Sequence, residues 1–83
     1  MIDLLNKSTD KKRTFDAMQV FSKKNNREVI LALLQHGPLC GIEIAKITKR
    51  DEPTTSRSLK ELKKYGFTRS LREGKHIYHV LIA

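Results

Sequence analysis

The residues with the clearest chemical potential are basic and hydroxyl side chains that recur at helical spacing in the second half of the chain. Thr54 and Arg57 stand three positions apart, and Lys60 and Lys64 continue the series. At about 100° per residue, these four side chains share one face of a helix. Arg can donate two hydrogen bonds to a guanine edge, and hydroxyls can contact bases or phosphates. The pattern therefore predicts a helix that reads the major groove of DNA.

The surrounding residues set the limits of this helix at 52–65. Asp51 is a favourable N-cap because its carboxylate can accept a hydrogen bond from a backbone N–H of the first turn. Pro53 lies in the first turn, where its missing N–H costs nothing. Gly66 is the residue type best suited to a left-handed helix terminus. The stripe that faces the core is narrow and consists of Thr55, Leu59 and Leu62.

The helix and the turn before it supply several predicted DNA contacts. Arg57 is the best candidate for a paired contact with guanine, which is worth about 1–3 kcal/mol of discrimination. The alternative for Lys60, Lys63 and Lys64 is an ordinary solvated helix face. The predicted contacts are to base edges for Thr54, Arg57 and Ser58, to phosphates for Lys60 and Lys64, and to the DNA backbone for Lys49, Arg50 and Ser56.

Two acids interrupt this basic face. Glu61 follows Arg57 by four positions and can form an ion pair with it. Glu52, in the first turn, interacts favourably with the helix dipole but directs an acid towards DNA. Acids at these positions favour sequence-specific reading over indiscriminate coating of DNA.

Composition narrows the possible functions. The 83 residues form one small domain with a thin core, so dimerisation would help to bury apolar surface. A net charge of +8 favours a polyanion, with nucleic acid first and an anionic membrane surface second. No stretch reaches the ~20 apolar residues of a membrane span, and Met1–Asn6 does not read as a signal peptide. Since the single Cys40 cannot form an intramolecular disulfide, we expect a cytoplasmic, nucleoid-associated protein.

Residues 23–83 begin with the clearest helical pattern in the chain. Asn25 is a plausible N-cap after the polar Lys23–Asn26, and Gly37-Pro38 ends the helix. The predicted apolar face consists of Val29, Ile30, Leu33 and Leu34.

A second helix and a hairpin follow. A short strand is predicted at 38–40, and a helix over 41–49 with Ile44, Ala45 and either Ile47 or Thr48 facing inwards. The turn Thr48–Arg50 separates this helix from the DNA-reading helix. Strands are then predicted over 67–72 and 75–82, joined around Glu73-Gly74, because glycine supplies the positive φ that a tight hairpin needs.

These elements resemble the ArsR-type winged helix-turn-helix regulators. The likeness is carried by Pro53–Leu62, by Gly66-Phe67 and by Arg72–Tyr78, with Asn25–Leu34 and Gly41–Thr48 similar to the family's preceding helices. It implies a fold that is mainly α with a small β wing: a winged helix-turn-helix with an additional N-terminal helix. It also implies that the wing at 70–77 lies on the minor groove, with contacts from Arg72, Lys75 and His76.

The N-terminal extension and helix, residues 1–22, are the predicted dimer interface. Ser8 or Thr9 can cap a helix that runs to about Ser22. Many ArsR-type proteins continue past the wing into a dimerising helix; the sequence ends at Ala83, so we expect the N-terminal helix to take that role. The alternative is that this helix only covers its own core. The predicted interface residues are Ile2, Leu4, Leu5, Phe15, Met18 and Phe21.

The metal sites of many ArsR-type proteins are not expected in this chain. A single Cys40 cannot make a site with two cysteines. His76 and His79 are three apart in a predicted strand, so they point to opposite faces. His36 and Cys40 flank a turn, but two ligands do not make a tight site. We expect no metal and no cofactor; a redox switch between two Cys40 residues is the weaker alternative, because the position reads as internal.

No grouping of Ser, His and acids, no phosphate loop and no carboxylate pair indicates an enzyme. We expect a sequence-specific regulator of transcription, a repressor, that binds double-stranded DNA as a homodimer. Two alternatives stay open. One is a nonspecific, chromatin-type DNA-binding protein, and the other is a winged-helix module that binds protein.

Overall fold

A computed structural model describes residues 17–82. The first described element is helical at 17–22 and is called α1. The later helices and strands are α2 (Lys24–His36), β1 (Leu39–Cys40), α3 (Gly41–Thr48), α4 (Glu52–Lys64), β2 (Thr68–Glu73) and β3 (His76–Leu81). The strands form one antiparallel sheet in the order β1-β3-β2. This architecture confirms the predicted winged helix-turn-helix, including the short strand that joins the wing.

The junction between α1 and α2 depends on two side chains of α2. Asn26 donates from Nδ2 to the carbonyl of Val20 at 2.8 Å. Arg27 donates from Nη1 to the carbonyl of Phe21 at 2.6 Å. Both bonds go to carbonyls at the end of α1, where intrahelical donors run out, and the Val20 carbonyl also accepts a bond from Lys23 N at 3.4 Å. The predicted cap at Asn25 is wrong, because Lys23 occupies the N-cap and makes no side-chain capping bond.

The buried face of α2 is rotated from the predicted one. Val29 and Leu33 face the core as expected, but Asn26 and Ala32 are buried with them. Leu34 is 65% exposed. Because α3 and α4 both pack against the side of α2 that carries Val29 and Leu33, the side that carries Leu34 stays open to solvent.

The turn between α3 and α4 has the predicted position. Lys49 adopts a left-handed conformation with φ 59° and ψ 38°. Arg50 N then donates to Ala45 O at 3.0 Å and closes the end of α3. The next helix begins at Glu52, so only residues 49–51 connect the two helices of the motif.

Glycines end α4 and turn the hairpin, as predicted. Gly66 has φ 82°, and its N–H donates to Lys63 O while Phe67 N donates to Leu62 O. These two bonds are the Schellman pattern. Gly74 has φ 62° in the two-residue turn to Lys75, which suits the strong twist of a tight hairpin. The observed strands differ from the predicted ones by one residue at most ends.

The core lies between α2, α3, α4 and the sheet, and its buried side chains are Val20, Val29, Ala32, Leu33, Leu39, Ile44, Leu59 and Leu62. Phe21 packs against this core and contacts Phe67, with the ring centroids 5.0 Å apart. Phe21 is half-buried against the core of its own chain, and its place in a dimer interface stays a prediction. Met18 is 67% exposed. The other predicted interface residues, Ile2, Leu4, Leu5 and Phe15, lie outside the described residues.

Within residues 17–82, no helix is long and apolar enough to span a membrane.

Candidate nucleic-acid interface

Helix α4 presents a basic face opposite the core. Its buried residues are Thr55, Ser58, Leu59 and Leu62. On the other side, Arg57, Lys60 and Lys64 are exposed together with Ser56 and Lys63. A salt bridge or side-chain hydrogen bond for Arg57 is not found among the described residues. The guanidinium is thus available for an external partner.

Ser58 does not belong to this exposed face. It is only 7% exposed, because the stripe that faces the core is wider than three residues and continues towards α2. There Ser58 lines a cleft of about 310 Å³ with Asn26 and Arg57. The predicted contact between Ser58 and DNA is therefore corrected: this residue belongs to the packing side of α4.

Asp51 holds the first turn of α4 in place. Its Oδ1 accepts a hydrogen bond from Thr54 N at 2.9 Å, and Thr55 Oγ1 donates to the Asp51 carbonyl at 3.0 Å. The hydrogen bonds from Thr54 lower the pKa of Asp51, and the positive charge of Arg57 adds to the effect. The predicted cap is confirmed, and it fixes the direction of the side chains in this turn.

Glu61 does not pair with Arg57. Its Oε2 lies 2.6 Å from Lys23 Nζ, and its Oε1 accepts a hydrogen bond from Asn26 Nδ2 at 3.0 Å. Lys23, chiefly through its hydrogen bond, lowers the pKa of Glu61. Because Asn26 also holds Val20 O, a continuous set of bonds links the end of α1, the start of α2 and the middle of α4. We call this set the Asn26 bridge.

Arg50 has a structural partner. Its Nε and Nη2 lie 3.1 and 3.0 Å from Glu28 Oε1, which ties the turn of the motif to α2. A guanidinium carries five N–H donors, so three remain for another acceptor. Lys49, next to it, is exposed.

The wing carries its basic residues at the tip. Arg72, Lys75 and His76 are all exposed. Arg72 is opposite Ile77 in the ladder, and Glu73 is opposite His76. The His76 ring lies 6.2 Å from that of Tyr78. The structure thus places the three predicted wing residues together around one turn.

An open cleft separates α4 from the wing, and we call it the wing cleft. Its volume is about 530 Å³. It brings together four predicted contact residues, Ser56, Lys60, Lys75 and His76. It also contains side chains that were not predicted to form a site, namely Ile42, Lys63, Ile77 and His79.

Of these unpredicted residues, Lys63 could have been found from the sequence, whereas His79 could not. Lys63 follows Ser56 and Lys60 along the same side of the helix, so helical spacing alone could have included it. His79 has no such signal, because its place depends on the fold of the hairpin. It is half-buried, and burial, with a smaller effect from Lys63, lowers its pKa.

Cys40 serves as the N-cap of α3. Its N–H donates to Glu43 Oε1 at 3.0 Å, and its side chain accepts from the N–H of Glu43. Partial burial, followed by the hydrogen bond with Glu43, raises the pKa of the thiol, which makes the thiolate less available. In the part of the chain that the structure covers, no group of three His, Cys, Asp or Glu residues is arranged to hold a metal ion.

A capped basic helix set against a three-helix core, with a basic hairpin beside it, defines the class of winged helix-turn-helix DNA-binding proteins. Residues 23–82 match the family model described as "Sugar-specific transcriptional regulator TrmB". The chain belongs to this TrmB family of transcriptional regulators.

Individual relatives agree with this class. The cadmium resistance transcriptional regulatory protein CadC of Listeria innocua serovar 6a is 31% identical over 85 aligned positions, which cover 95% of this chain and 71% of CadC. The homodimeric winged helix-turn-helix domain Mb0332 of Mycobacterium bovis, described as a possible ArsR-family regulator, has a TM-score of 0.83 at 22% identity, covering 94% of this chain and 71% of Mb0332. The Zalpha domain of Carassius auratus PKZ, solved with Z-DNA, has a TM-score of 0.64 at 25% identity, covering 71% of this chain and 94% of that domain. The resemblance to ArsR-type regulators is confirmed.

Proposed function

We propose that this DNA-binding regulator recognises a specific double-stranded site as a homodimer and represses transcription by occluding a promoter. The observation that carries the proposal is the exposed basic face of the capped helix α4, opposite its buried stripe. In the proposed complex, α4 enters the major groove and the wing at 70–77 lies on the minor groove. This function needs no catalytic step, and it belongs in the cytoplasm at the nucleoid.

The residues divide by their distance from the first turn of α4. Arg57 faces the base edges, with Thr54 beside it, and Ser56 contacts the DNA backbone. Side chains farther from this turn contact phosphates, since contacts with the backbone position a protein whereas contacts with bases specify the sequence. The proposed phosphate contacts are Lys49, Arg50, Lys60, Lys64, Arg72, Lys75 and His76.

The proposed dimer uses the N-terminal part of the chain, residues 1–22, while 23–83 bind DNA. Met18 supports this division, because α1 leaves this large apolar side chain exposed while Val20 and Phe21 pack inwards. A two-fold axis would place two recognition helices about 34 Å apart, one turn of DNA, and the site would be palindromic.

Selection from a random duplex library at two salt concentrations tests the proposal. We expect enrichment of a palindrome whose half-sites are about one turn apart. A dimer that makes about 6–10 phosphate contacts should lose ~10³–10⁵ in affinity between 50 and 200 mM salt. A best site should exceed random sequence by ~10³ or more.

The other outcomes identify the alternatives. Binding without enrichment, with the same salt dependence, would indicate a chromatin-type protein. Absence of binding at 50 mM salt would contradict the proposal and favour a module that binds protein.

A further inference from the structure

The wing cleft combines features that DNA contact alone does not require. Ile42, in the first turn of α3, is 55% exposed, and Ile77, on β3, is 50% exposed. Both side chains line the cleft, and so does Leu59 of α4. Exposed apolar side chains that share one concave surface indicate a binding site more strongly than scattered ones do. The cleft thus has an apolar wall on two sides.

The charge around this apolar wall is almost entirely positive. Lys60 and Lys63 project from α4, and Lys75 and His76 from the wing tip. The half-buried His79 also lines the cleft. Among the described residues that line the cleft, Glu52 is the one acid. An anionic group at the rim would therefore meet several cations, and it can form charge-assisted hydrogen bonds with them.

Size and chemistry together point to a small molecule. A volume of about 530 Å³ lies within the range of ~300–1,000 Å³ that is typical of small-molecule sites. A phosphate chain would satisfy the cations but would leave Ile42 and Ile77 against a charged, hydrated partner. A molecule with an apolar body and one anionic end would satisfy both parts of the lining.

We propose that the wing cleft binds an amphipathic carboxylate, with its apolar body between Ile42 and Ile77 and its carboxylate at Lys63 and the neighbouring cations. Because Ser56, Lys60, Lys75 and His76 line the cleft and are also proposed to contact DNA, the bound carboxylate excludes DNA. This second part rests on the proposed function, whereas the binding of the carboxylate does not.

The test uses dodecanoate below its micelle concentration and the full chain labelled with ¹⁵N. We expect the amide resonances of Ile42, Leu59, Ile77 and His79 to shift on titration, and calorimetry to give the affinity. Dodecan-1-ol and dodecyltrimethylammonium have the same chain without the negative charge. We expect each to bind at least about tenfold more weakly, as a charge-assisted contact implies.

Two matched substitutions locate the apolar contact. Ile77→Thr keeps a β-branched residue in β3 and should weaken dodecanoate binding about fivefold, because half-exposed apolar surface is lost from the site. Leu71→Thr removes an exposed apolar side chain from β2 that does not line the cleft, and it should leave the affinity unchanged. Lys63→Gln should weaken binding of dodecanoate but not of dodecan-1-ol.

Three results would overturn the carboxylate site: resonance shifts that map elsewhere, equal affinity for the three probes, or equal effects of Ile77→Thr and Leu71→Thr.

Competition with DNA is measured separately on the wild-type chain, with a labelled duplex from the library selection. Saturating dodecanoate should raise the apparent Kd for DNA at least about tenfold. An unchanged Kd with the cleft occupied would overturn the exclusion of DNA. Failure to bind any duplex would overturn the proposed function while the calorimetry still reports on the site.

Discussion

In the proposed complex, Arg57 is the residue on which sequence recognition depends most, because α4 exposes it without an ion-pair partner among the described residues. Asp51 acts differently: as the N-cap of α4, it fixes the first turn from which Thr54 and Arg57 project. At this scale, Arg57 supplies the proposed contact with DNA, and Asp51 fixes the direction of the turn that carries it. The two roles can be separated by substitution.

Arg57→Ala should flatten the sequence preference by about 1–3 kcal/mol and leave the fold intact. Arg57→Lys is the matched control for charge, since it keeps the cation but loses the paired geometry. We expect both variants to lose discrimination in a competition assay, and only Arg57→Ala to reduce the salt dependence. If discrimination is unchanged in both variants, Arg57 does not read bases.

Asp51→Ala should lower the melting temperature at neutral pH, because a hydrogen bond to the first turn is lost. The pKa of Asp51 is lowered in the folded state, so its contribution is present above the unfolded pKa and is lost as pH falls. The difference between wild type and Asp51→Ala should therefore shrink as the pH drops below the ordinary value of 3.8. Asp51→Asn keeps the cap without the titration, and its advantage over Asp51→Ala should persist in acid. Thermal unfolding at pH 7 and pH 3 checks both expectations.

At the scale of elements, the Asn26 bridge determines how α4 sits against α1 and α2. Asn26 is 1% exposed, and its Nδ2 serves two acceptors on different elements. A buried carbonyl that loses its donor costs more than a typical hydrogen bond contributes. The bridge therefore couples the predicted dimer element to the predicted recognition helix through one amide.

Asn26→Ala should reduce the free energy of unfolding by about 1–3 kcal/mol, because Val20 O and Glu61 Oε1 each lose the hydrogen bond from Asn26 Nδ2 and a buried side chain is truncated. Asn25→Ala, one residue away and less buried, is the control and should change stability by less than about 0.5 kcal/mol. Urea unfolding followed by circular dichroism measures both. Equal effects of the two substitutions would show that the bridge contributes little to stability.

The elements also show which features the sequence could predict. The N-cap at Asp51, the helix end at Gly66 and the hairpin turn at Gly74 were predicted correctly, because the signal for each lies within a few residues of it in the sequence. The burial of Ser58 and the partners of Glu61 were not predicted, since both depend on where α2 packs against α4. Glu61 could pair with Arg57, its helical neighbour, but it pairs instead with Lys23, which is 38 positions away in the chain. Tertiary contacts decided these cases.

At the scale of the whole molecule, several large apolar side chains of the described residues stay exposed outside the core. Leu34 on α2 and Met18 on α1 are both about two-thirds exposed. Only Met18 belongs to the segment predicted to form the dimer. Their equal exposure makes them a matched pair for locating an interface.

Met18→Glu should weaken self-association, because a charge would enter the proposed apolar interface. Leu34→Glu places the same charge on an equally exposed position of α2 and should sediment as wild type. Analytical ultracentrifugation over a range of concentrations distinguishes them. A monomer produced only by Leu34→Glu would move the interface to α2.

At Lys49, the backbone conformation lowers stability, whereas the side chain is proposed to contribute to DNA binding. An L-residue in the left-handed region carries a penalty of about 1–2 kcal/mol that glycine does not have, and Lys49 stands there with φ 59°. Lys49→Gly should therefore raise the melting temperature while removing a cation from the proposed phosphate contacts, which would reduce the salt slope by about one. A selection for heat resistance alone would favour glycine at the turn of the motif, whereas a selection for occupancy of the operator would restore lysine.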